Sequence, residues 1–190
     1  MQNEELKIED GKLKMGKKET RQNDIRPEVG SSAIRIPQSA IQTRSSALSP
    51  QSLIPHRPPF LFVDEVVEVD EKRIVATKYV DPAAEFFRGH YPGNPVMPGV
   101  LLCECCFQTG AILIAHLMKQ NTVLKGTPVI TRIKEAKFKH MVKPGDTLRI
   151  EVTLDETVND VYFMTGRLQV GDRLALRVEF AAALVASPAL

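Results

Sequence analysis

The chain has 190 residues, which is enough for one domain and an additional segment. Its 43% hydrophobic content supports a sizeable core, and its formal net charge of +2 is too small to indicate nucleic-acid binding by charge alone. Of the 25 Lys/Arg and 23 Asp/Glu, residues 1–50 carry nine and seven, so residues 51–190 carry sixteen of each. No run of eighteen apolar residues free of charge is present, and we expect no membrane span.

The first fifty residues differ from the rest in composition. They lack sustained apolar periodicity, so we expect a mobile tail over 1–50 and a folded domain over 51–190. Early acidic residues argue against a secretory signal, and later Ser and Arg give only a weak likeness to a transit peptide. Cys103, Cys105 and Cys106 lie within four residues, which is a poor disulfide framework. We therefore expect a reducing, cytoplasmic location.

Strand patterns begin after Leu53. Segments 60–69 and 73–80 are rich in β-branched residues and predict a hairpin. The next segment, 84–97, is crowded with Pro and Gly. Prolines recur at every third position from Pro92 to Pro98, and each restrains its own φ and the residue before it. Such a loop is stiff and suits a segment that holds side chains in place.

A long helix is predicted over 98–120, with Pro98 at its first position. Its apolar residues lie on all sides, so we expect it to be buried. Four strands follow, separated by short turns that imply antiparallel neighbours, at 129–139, 147–155, 161–170 and 173–185. This order predicts an α+β fold in which a curved antiparallel sheet wraps around one long buried helix. A dimer is expected to cover the helix surface that remains.

Glu104 is the only carboxylate between Val100 and His116 in that helix. Burial favours the neutral form of a carboxyl group, and a carboxylic acid that stays protonated near neutral pH suits general acid catalysis. A Glu on a solvent-facing stripe is an equally good interpretation of this residue alone. Gln108 lies one turn further on, where it can form a hydrogen bond with Glu104.

His90 lies in the stiff loop, and an imidazole titrates near neutral pH and can act as a base. A lone His that only hydrogen-bonds its loop is the more common case. The combination with an acid in the helix that follows favours a catalytic pair. Gly99 and Val100 in the first helical turn have amides without internal partners, which can bind a carbonyl oxygen as it gains negative charge.

The segment 85–108, EFFRGHYPGNPVMPGVLLCECCFQ, closely resembles the active-site segment of the bacterial 3-hydroxyacyl-[acyl-carrier-protein] dehydratases. Segments 54–66 (IPHRPPFLFVDEV) and 134–148 (KEAKFKHMVKPGDTL) are similar to the same family, and the resemblance covers about residues 51–186. It implies a hot-dog fold, His90 and Glu104 as the catalytic residues, and Gly99 as the amide that polarises the thioester. The sister isomerising branch has Asp in place of that Glu, so Glu104 favours the plain dehydratase branch.

The resemblance also implies the reaction and its partners. We expect dehydration of (3R)-3-hydroxyacyl thioesters, carried by acyl carrier protein, to trans-2-enoyl thioesters in type II fatty acid biosynthesis. No cofactor, metal, nucleic acid or membrane is expected. In the family, His and Glu of one site come from different subunits of a homodimer, and hexamers of three dimers are common. Independently of the resemblance, a run of basic residues follows α1 in the sequence. We interpret it either as a solvated strand face or as a contact for an acidic carrier protein: Arg132, Lys134, Lys137, Lys139 and Lys143.

Several positions depart from the family pattern. Pro58 stands where an aromatic residue is common, and Cys105, Cys106 and Phe107 replace small residues after the Glu. These departures bear on the acyl tunnel and hence on substrate range. Two alternatives stay open, namely a hot-dog thioesterase, against which His90 argues, and a non-catalytic subunit that binds a carrier protein or a catalytic homologue.

Overall fold

The computed structural model describes residues 5–9, 12–16, 49–121 and 125–186. The chain divides into two compact units, Met1–Thr43 and Arg44–Leu190. Most of the predicted tail, residues 1–50, lies outside the described residues, and its mobility stays a prediction. Inside it, strands β1 (Glu5–Glu9) and β2 (Lys12–Gly16) pair in an antiparallel hairpin that the sequence pattern did not predict.

In its described residues, the second unit contains six strands and one long helix. In chain order these are β3 (Glu65–Val69), β4 (Arg73–Tyr79), α1 (Gly99–Gln120), β5 (Thr127–Phe138), β6 (Thr147–Val158), β7 (Val161–Val170) and β8 (Arg173–Val185). The strands form one antiparallel sheet in the order β3-β4-β6-β7-β8-β5, so β3 and β5 are its edges. The predicted α+β fold with a sheet around one helix is confirmed.

The curvature of the sheet has a visible local cause. Register shifts occur in the β3–β4, β5–β8, β6–β7 and β7–β8 pairings. A bulge bends a strand and increases its local twist, so these shifts help the sheet to curl around α1. Alternate residues of β6 face inward, since Leu148, Ile150 and Val152 are fully buried while their neighbours are not. The helix contacts five strands, β4 through β8.

Helix α1 forms the centre of the core, although its burial is less complete than its composition predicts. Most residues from Leu102 to Ile114 are buried, but Val100 is 74% exposed and the last two residues of the helix are exposed. By length and composition alone the helix could cross a membrane, with a mean hydropathy of 1.7, yet 56% of its most apolar window is buried inside the fold. The core helix of a globular protein has the same character, and the expectation of no membrane span stays a prediction.

Candidate active site

The loop that carries His90 is held by local hydrogen bonds. A 3-10 helix, Glu85–Arg88, leads into it, and the His90 backbone N–H donates to the Phe86 carbonyl at 3.0 Å. Further along, the Met97 N–H donates to the Val142 carbonyl at 2.8 Å, which ties the end of the loop to the segment after β5. The loop thus has one anchor before His90 and one just before α1.

The side chain of His90 has a defined orientation. Its Nδ1 lies 2.9 Å from the Val96 carbonyl oxygen. Because a carbonyl only accepts hydrogen bonds, Nδ1 must carry the proton in the neutral ring, which leaves the Nε2 lone pair available. A half-buried imidazole in this tautomer is suited to accept a proton at Nε2.

Tyr91 gives the loop an unusual backbone conformation. Its φ is +56°, a left-handed value that costs a non-glycine residue roughly 1–2 kcal/mol. Its ring lies edge-on to the His90 ring at a centroid distance of 4.5 Å, and the residue is 64% exposed. The strained residue therefore adjoins the candidate base, as strained backbone at functional sites often does.

The N-terminal end of α1 carries two amides without acceptors. Pro98 is the N-cap rather than the first helical residue, and its carbonyl accepts from Leu101 and Leu102. Among the described residues, the N–H groups of Gly99 and Val100 have no hydrogen-bond acceptor. They carry partial positive charge and can bind a carbonyl oxygen that develops negative charge.

Gly99 is also required by packing. A Cβ atom at this position would come within 2.9 Å of Cε1 in the Phe138 ring, at the end of β5. Real Cβ atoms essentially never approach another heavy atom so closely. A glycine therefore allows the first helical turn to lie directly against that ring.

Glu104 lies one turn after these amides, and its environment falls between the two predicted alternatives. The carboxylate is neither fully buried nor free in solvent, because its side chain is 21% exposed. The predicted hydrogen bond with Gln108 is present, with Gln108 Nε2 donating to Glu104 Oε1 at 2.9 Å. The acid is thus held by a neighbour on its own helix.

Gln108 connects Glu104 to the segment before β3. It is 1% exposed; its Oε1 accepts from the Phe62 N–H at 2.8 Å, and its Nε2 also donates to the Phe60 carbonyl at 3.0 Å. A buried amide with all these groups paired has little freedom to rotate. The position of Glu104 therefore depends on how this segment packs on the helix.

His56 is a site residue that the sequence did not reveal. Its Nε2 lies 3.8 Å from Glu104 Oε1, and its ring stacks on Phe60 with centroids 6.3 Å apart. His56 and Glu104 are 48 positions apart in the sequence. A single His before a strand belongs to no local pattern that would identify its partner. The only available signal is that His56 falls within a segment of family resemblance.

His116 and the three cysteines have no contact with His90 or Glu104 that identifies them as site residues. His116 lies near the end of α1, where its Nε2 is 2.9 Å from the side-chain nitrogen of Gln120. Cys103, Cys105 and Cys106 are buried free thiols, and burial raises the pKa of each. Within the described ranges no cluster of His, Cys, Asp or Glu is arranged to hold a metal ion.

No contact within the described part of the chain joins His90 to Glu104. Glu104 meets Gln108 and His56, whereas His90 meets Val96 and Tyr91. The two predicted catalytic residues are therefore each placed with local partners but are not brought together inside one chain.

An open cavity of about 660 Å³ adjoins the start of α1. Apolar residues dominate its wall, including Pro58, Phe60, Phe62, Phe86 and Leu101. Pro58, one of the departures from the family pattern, thus lines this cavity. Mostly apolar walls of this size are typical of sites for small organic ligands.

Comparison with known proteins gives concordant results. A family model described as a FabA-like domain matches residues 54–179. A protein of Caulobacter vibrioides named 3-hydroxyacyl-[acyl-carrier-protein] dehydratase FabZ is 39% identical over 149 residues, 78% of this chain and 93% of the relative. The protein of that name from Oenococcus oeni is 47% identical over 112 residues, 58% of this chain and 78% of its own length.

Among solved structures, the dehydratase heterocomplex ApeI:P from Xenorhabdus doucetiae aligns with a TM-score of 0.64. The alignment covers 74% of this chain and 93% of that one at 12% identity, so it bears on the fold alone. Together with the family match, it confirms the predicted hot-dog fold.

Proposed function

Because the chain belongs to the FabA-like family, we propose that it removes water from (3R)-3-hydroxyacyl thioesters to give trans-2-enoyl thioesters in type II fatty acid biosynthesis. The observation that carries this proposal is the acid Glu104, held by Gln108 one helical turn after two amides without acceptors. The relatives that match most of the chain are named as dehydratases of this kind. No redox cofactor is needed for this chemistry, because the elimination of water involves no net oxidation or reduction.

The chemistry begins at the thioester carbonyl. Binding of its oxygen by the Gly99 and Val100 amides stabilises negative charge there and makes the C2 proton more acidic. His90 Nε2 then accepts that proton, since Nδ1 is committed to the Val96 carbonyl. The electron pair of the broken C2–H bond becomes the new double bond between C2 and C3.

The C3 hydroxyl leaves with a proton from Glu104. Its Oε1 accepts a hydrogen bond from Gln108, which leaves Oε2 to carry the acidic proton. As the C3–O bond breaks, this proton converts the departing hydroxide into water, and Glu104 becomes a carboxylate. The reverse hydration uses the same groups with their roles exchanged.

We also propose that a homodimer completes the site, with His90 of one subunit facing Glu104 of the other. The absence of any contact between these residues within the described chain supports this assembly. Strand β5 lies at an open sheet edge, where exposed apolar residues include Val129, Ile133 and Phe138. An unpaired edge of this kind is suited to pair with another copy. A hexamer of three such dimers is the larger assembly we propose.

The acyl carrier protein is the proposed carrier of the substrate. Two cations of the predicted basic run are engaged, since Lys134 pairs with Glu179 and Lys137 with Glu135, each at 3.0 Å. The others are exposed and have no ion-pair partner in the described part of the chain: Arg132, Lys139 and Lys143. Lys139 and Lys143 follow Phe138 and Val142, which contact the start of α1, and exposed cations there are suited to an acidic carrier. A cytoplasmic location, supported by the free thiols, belongs to the same proposal.

Turnover of a 3-hydroxyacyl thioester by wild type, His90→Ala and Glu104→Gln tests the reaction. Enoyl product and free thiol are followed together, and each variant is expected to lose about 100- to 10,000-fold in rate. His116→Ala is the matched control, because this residue lies far along α1 from the candidate site. Free thiol without enoyl product indicates a thioesterase, and an inert wild type indicates a binding subunit.

Mixing the two inactive variants tests the shared site. If each site combines residues of two subunits, random mixed dimers recover about a quarter of wild-type activity, since one of their two sites is intact. A site built within one chain recovers none. Subunits are mixed under conditions that allow exchange, and a mixture of tagged wild-type chains verifies that exchange has occurred.

A charge reversal tests the carrier contact. Lys143→Glu is expected to raise KM for the carrier-bound substrate about tenfold while leaving a short-chain thioester unaffected. The control is Lys72→Glu, an exposed cation in the turn between β3 and β4 at the other end of the sheet order. Equal losses with both substrates would place Lys143 outside the carrier contact.

A further inference from the structure

The two oxygens of Glu104 have different surroundings. Oε1 accepts a hydrogen bond from Gln108 at 2.9 Å and also faces His56 Nε2 at 3.8 Å. Oε2 has no hydrogen-bond partner among the described residues. One carboxyl oxygen therefore accepts a hydrogen bond from Gln108 and has an imidazole nitrogen nearby, whereas the other is left to face a ligand.

The turn that carries His56 is held firmly. The Arg57 guanidinium donates to the Ile54 carbonyl at 2.9 Å and to the His56 carbonyl at 2.6 Å. The Phe60 N–H donates to the Arg57 carbonyl at 2.8 Å, and the rings of His56 and Phe60 stack at 25°. Because Gln108 donates both to the Phe60 carbonyl and to Glu104, the turn that carries His56 belongs to the same hydrogen-bonded framework as Glu104.

The Nδ1 atom of His56 distinguishes this residue from a structural histidine. It is buried and has no hydrogen-bond partner in the described part of the chain. A buried polar atom without a partner lowers the stability of the fold. The surroundings of Nδ1 therefore do not explain why a histidine occupies this position. In the neutral ring the proton is most favourable on Nε2, because there it faces a carboxyl oxygen.

We propose that His56 is a positioning residue for Glu104. Its Nε2–H holds Oε1 and stabilises the carboxylate that remains once Glu104 has given its proton to the departing hydroxyl. The inference rests on the proposed role of Glu104 as the acid. Contacts of this kind often shorten when substrate binds, so a separation of 3.8 Å allows this hydrogen bond in the substrate complex.

Two variants separate this role from packing. His56→Phe keeps the ring against Phe60 but removes the donor, so kcat is expected to fall at least about tenfold while KM changes less than about twofold. His56→Gln brings an amide nitrogen close to the position of Nε2 and is expected to restore kcat to within about threefold of wild type. A His56→Phe enzyme with wild-type kcat would overturn the proposal.

A second pair keeps the test decisive if His56→Phe fails to fold. His56→Asn places its amide near the position of Nδ1, where it does not reach Glu104, so its kcat is expected to be at least about fivefold below that of His56→Gln. Equal kcat values in this pair would refute the role. His116→Phe serves as the matched control, and melting temperatures of all variants verify folding.

The proposed role of Glu104 as the general acid is tested by a separate measurement. If Glu104→Gln is as active as wild type, the role of Glu104 as the acid fails, and the role of His56 fails with it. If Glu104→Gln is inactive while His56→Phe keeps wild-type kcat, only the His56 inference fails.

Discussion

The two proposed catalytic groups are held in contrasting ways. Glu104 projects from a helix whose neighbouring turns are buried, and Gln108 binds it through a fully buried amide. His90 lies on a loop of mostly exposed residues, where its side chain has one hydrogen bond and its neighbour Tyr91 has a left-handed backbone. The acid is thus positioned by the core and the base by local loop geometry.

This contrast has a consequence for substitutions. Around Glu104 the same contacts stabilise the fold and place the acid, so a change there is expected to reduce stability and activity together. Around His90 few core contacts are involved, and a change is expected to affect activity with little effect on stability. Substitutions in the two regions separate these effects.

The largest effect is expected for Gln108→Leu. It leaves the Phe62 N–H and the Phe60 carbonyl without their partner and frees Glu104, so the free energy of unfolding should fall by about 2–4 kcal/mol. The value of kcat/KM should fall about 10- to 100-fold. Urea unfolding at fixed protein concentration and steady-state kinetics measure the two effects. The exposed Gln120→Leu on the same helix is the control, with a change below about 0.5 kcal/mol.

Thiol reactivity compares the two regions directly. Burial raises the pKa of Cys103, Cys105 and Cys106, so these thiols should react with a disulfide reagent at least about 100-fold more slowly than an exposed thiol. The comparison thiol is introduced by Arg88→Cys at an exposed position just before His90. Rapid labelling of the α1 thiols in the native protein would show that the helix region opens as readily as the loop.

A pair of glycines gives a smaller contrast. Gly166→Ala on β7 would place a Cβ 2.8 Å from the Cβ of Cys106, so we expect a loss of about 1–3 kcal/mol in unfolding free energy. Gly89→Ala beside His90 meets no atom within 4 Å at a φ of −109° and should cost less than about 0.5 kcal/mol. Chemical unfolding of both variants measures the difference. Equal costs would contradict the view that few core contacts surround His90.

The smallest effect is expected at Tyr91. Asn adopts a positive φ more readily than Tyr, so Tyr91→Asn should stabilise the protein by about 0.5–1 kcal/mol. Tyr91→Phe is the control, since it keeps both the ring and the backbone strain. A loss of stability in Tyr91→Asn would show that the ring contact with His90 outweighs the strain.

The sequence predicted most elements because their patterns are local. Strands β7 and β8 have the predicted bounds, and α1 differs by one residue because Pro98 serves as the N-cap. Strand β3 was predicted from residue 60 but begins at Glu65, since the backbone groups of Phe60 and Phe62 bond to Gln108 instead of to a strand. Here a buried side chain competes with sheet pairing, which no local pattern reveals.

The candidate site likewise contains residues that local sequence patterns reveal and residues that only tertiary contacts reveal. His90, Gly99, Val100 and Glu104 belong to one continuous segment, so residue type, spacing and family resemblance were sufficient to select them, and their catalytic roles stay a proposal. The hydrogen bond from Gln108 to Glu104 was predictable because residues four apart on a helix are neighbours.

The sequence by itself determined the fold class, the long central helix and the residues with suitable chemistry, because helical and strand periodicities and turn residues act over short distances. Only the tertiary structure decided that His56 approaches Glu104, that Phe138 closes on Gly99 and that β5 lies at an open edge of the sheet. These contacts join residues tens of positions apart. They depend on how the sheet curls around the helix, and the whole set of packing interactions determines that curl.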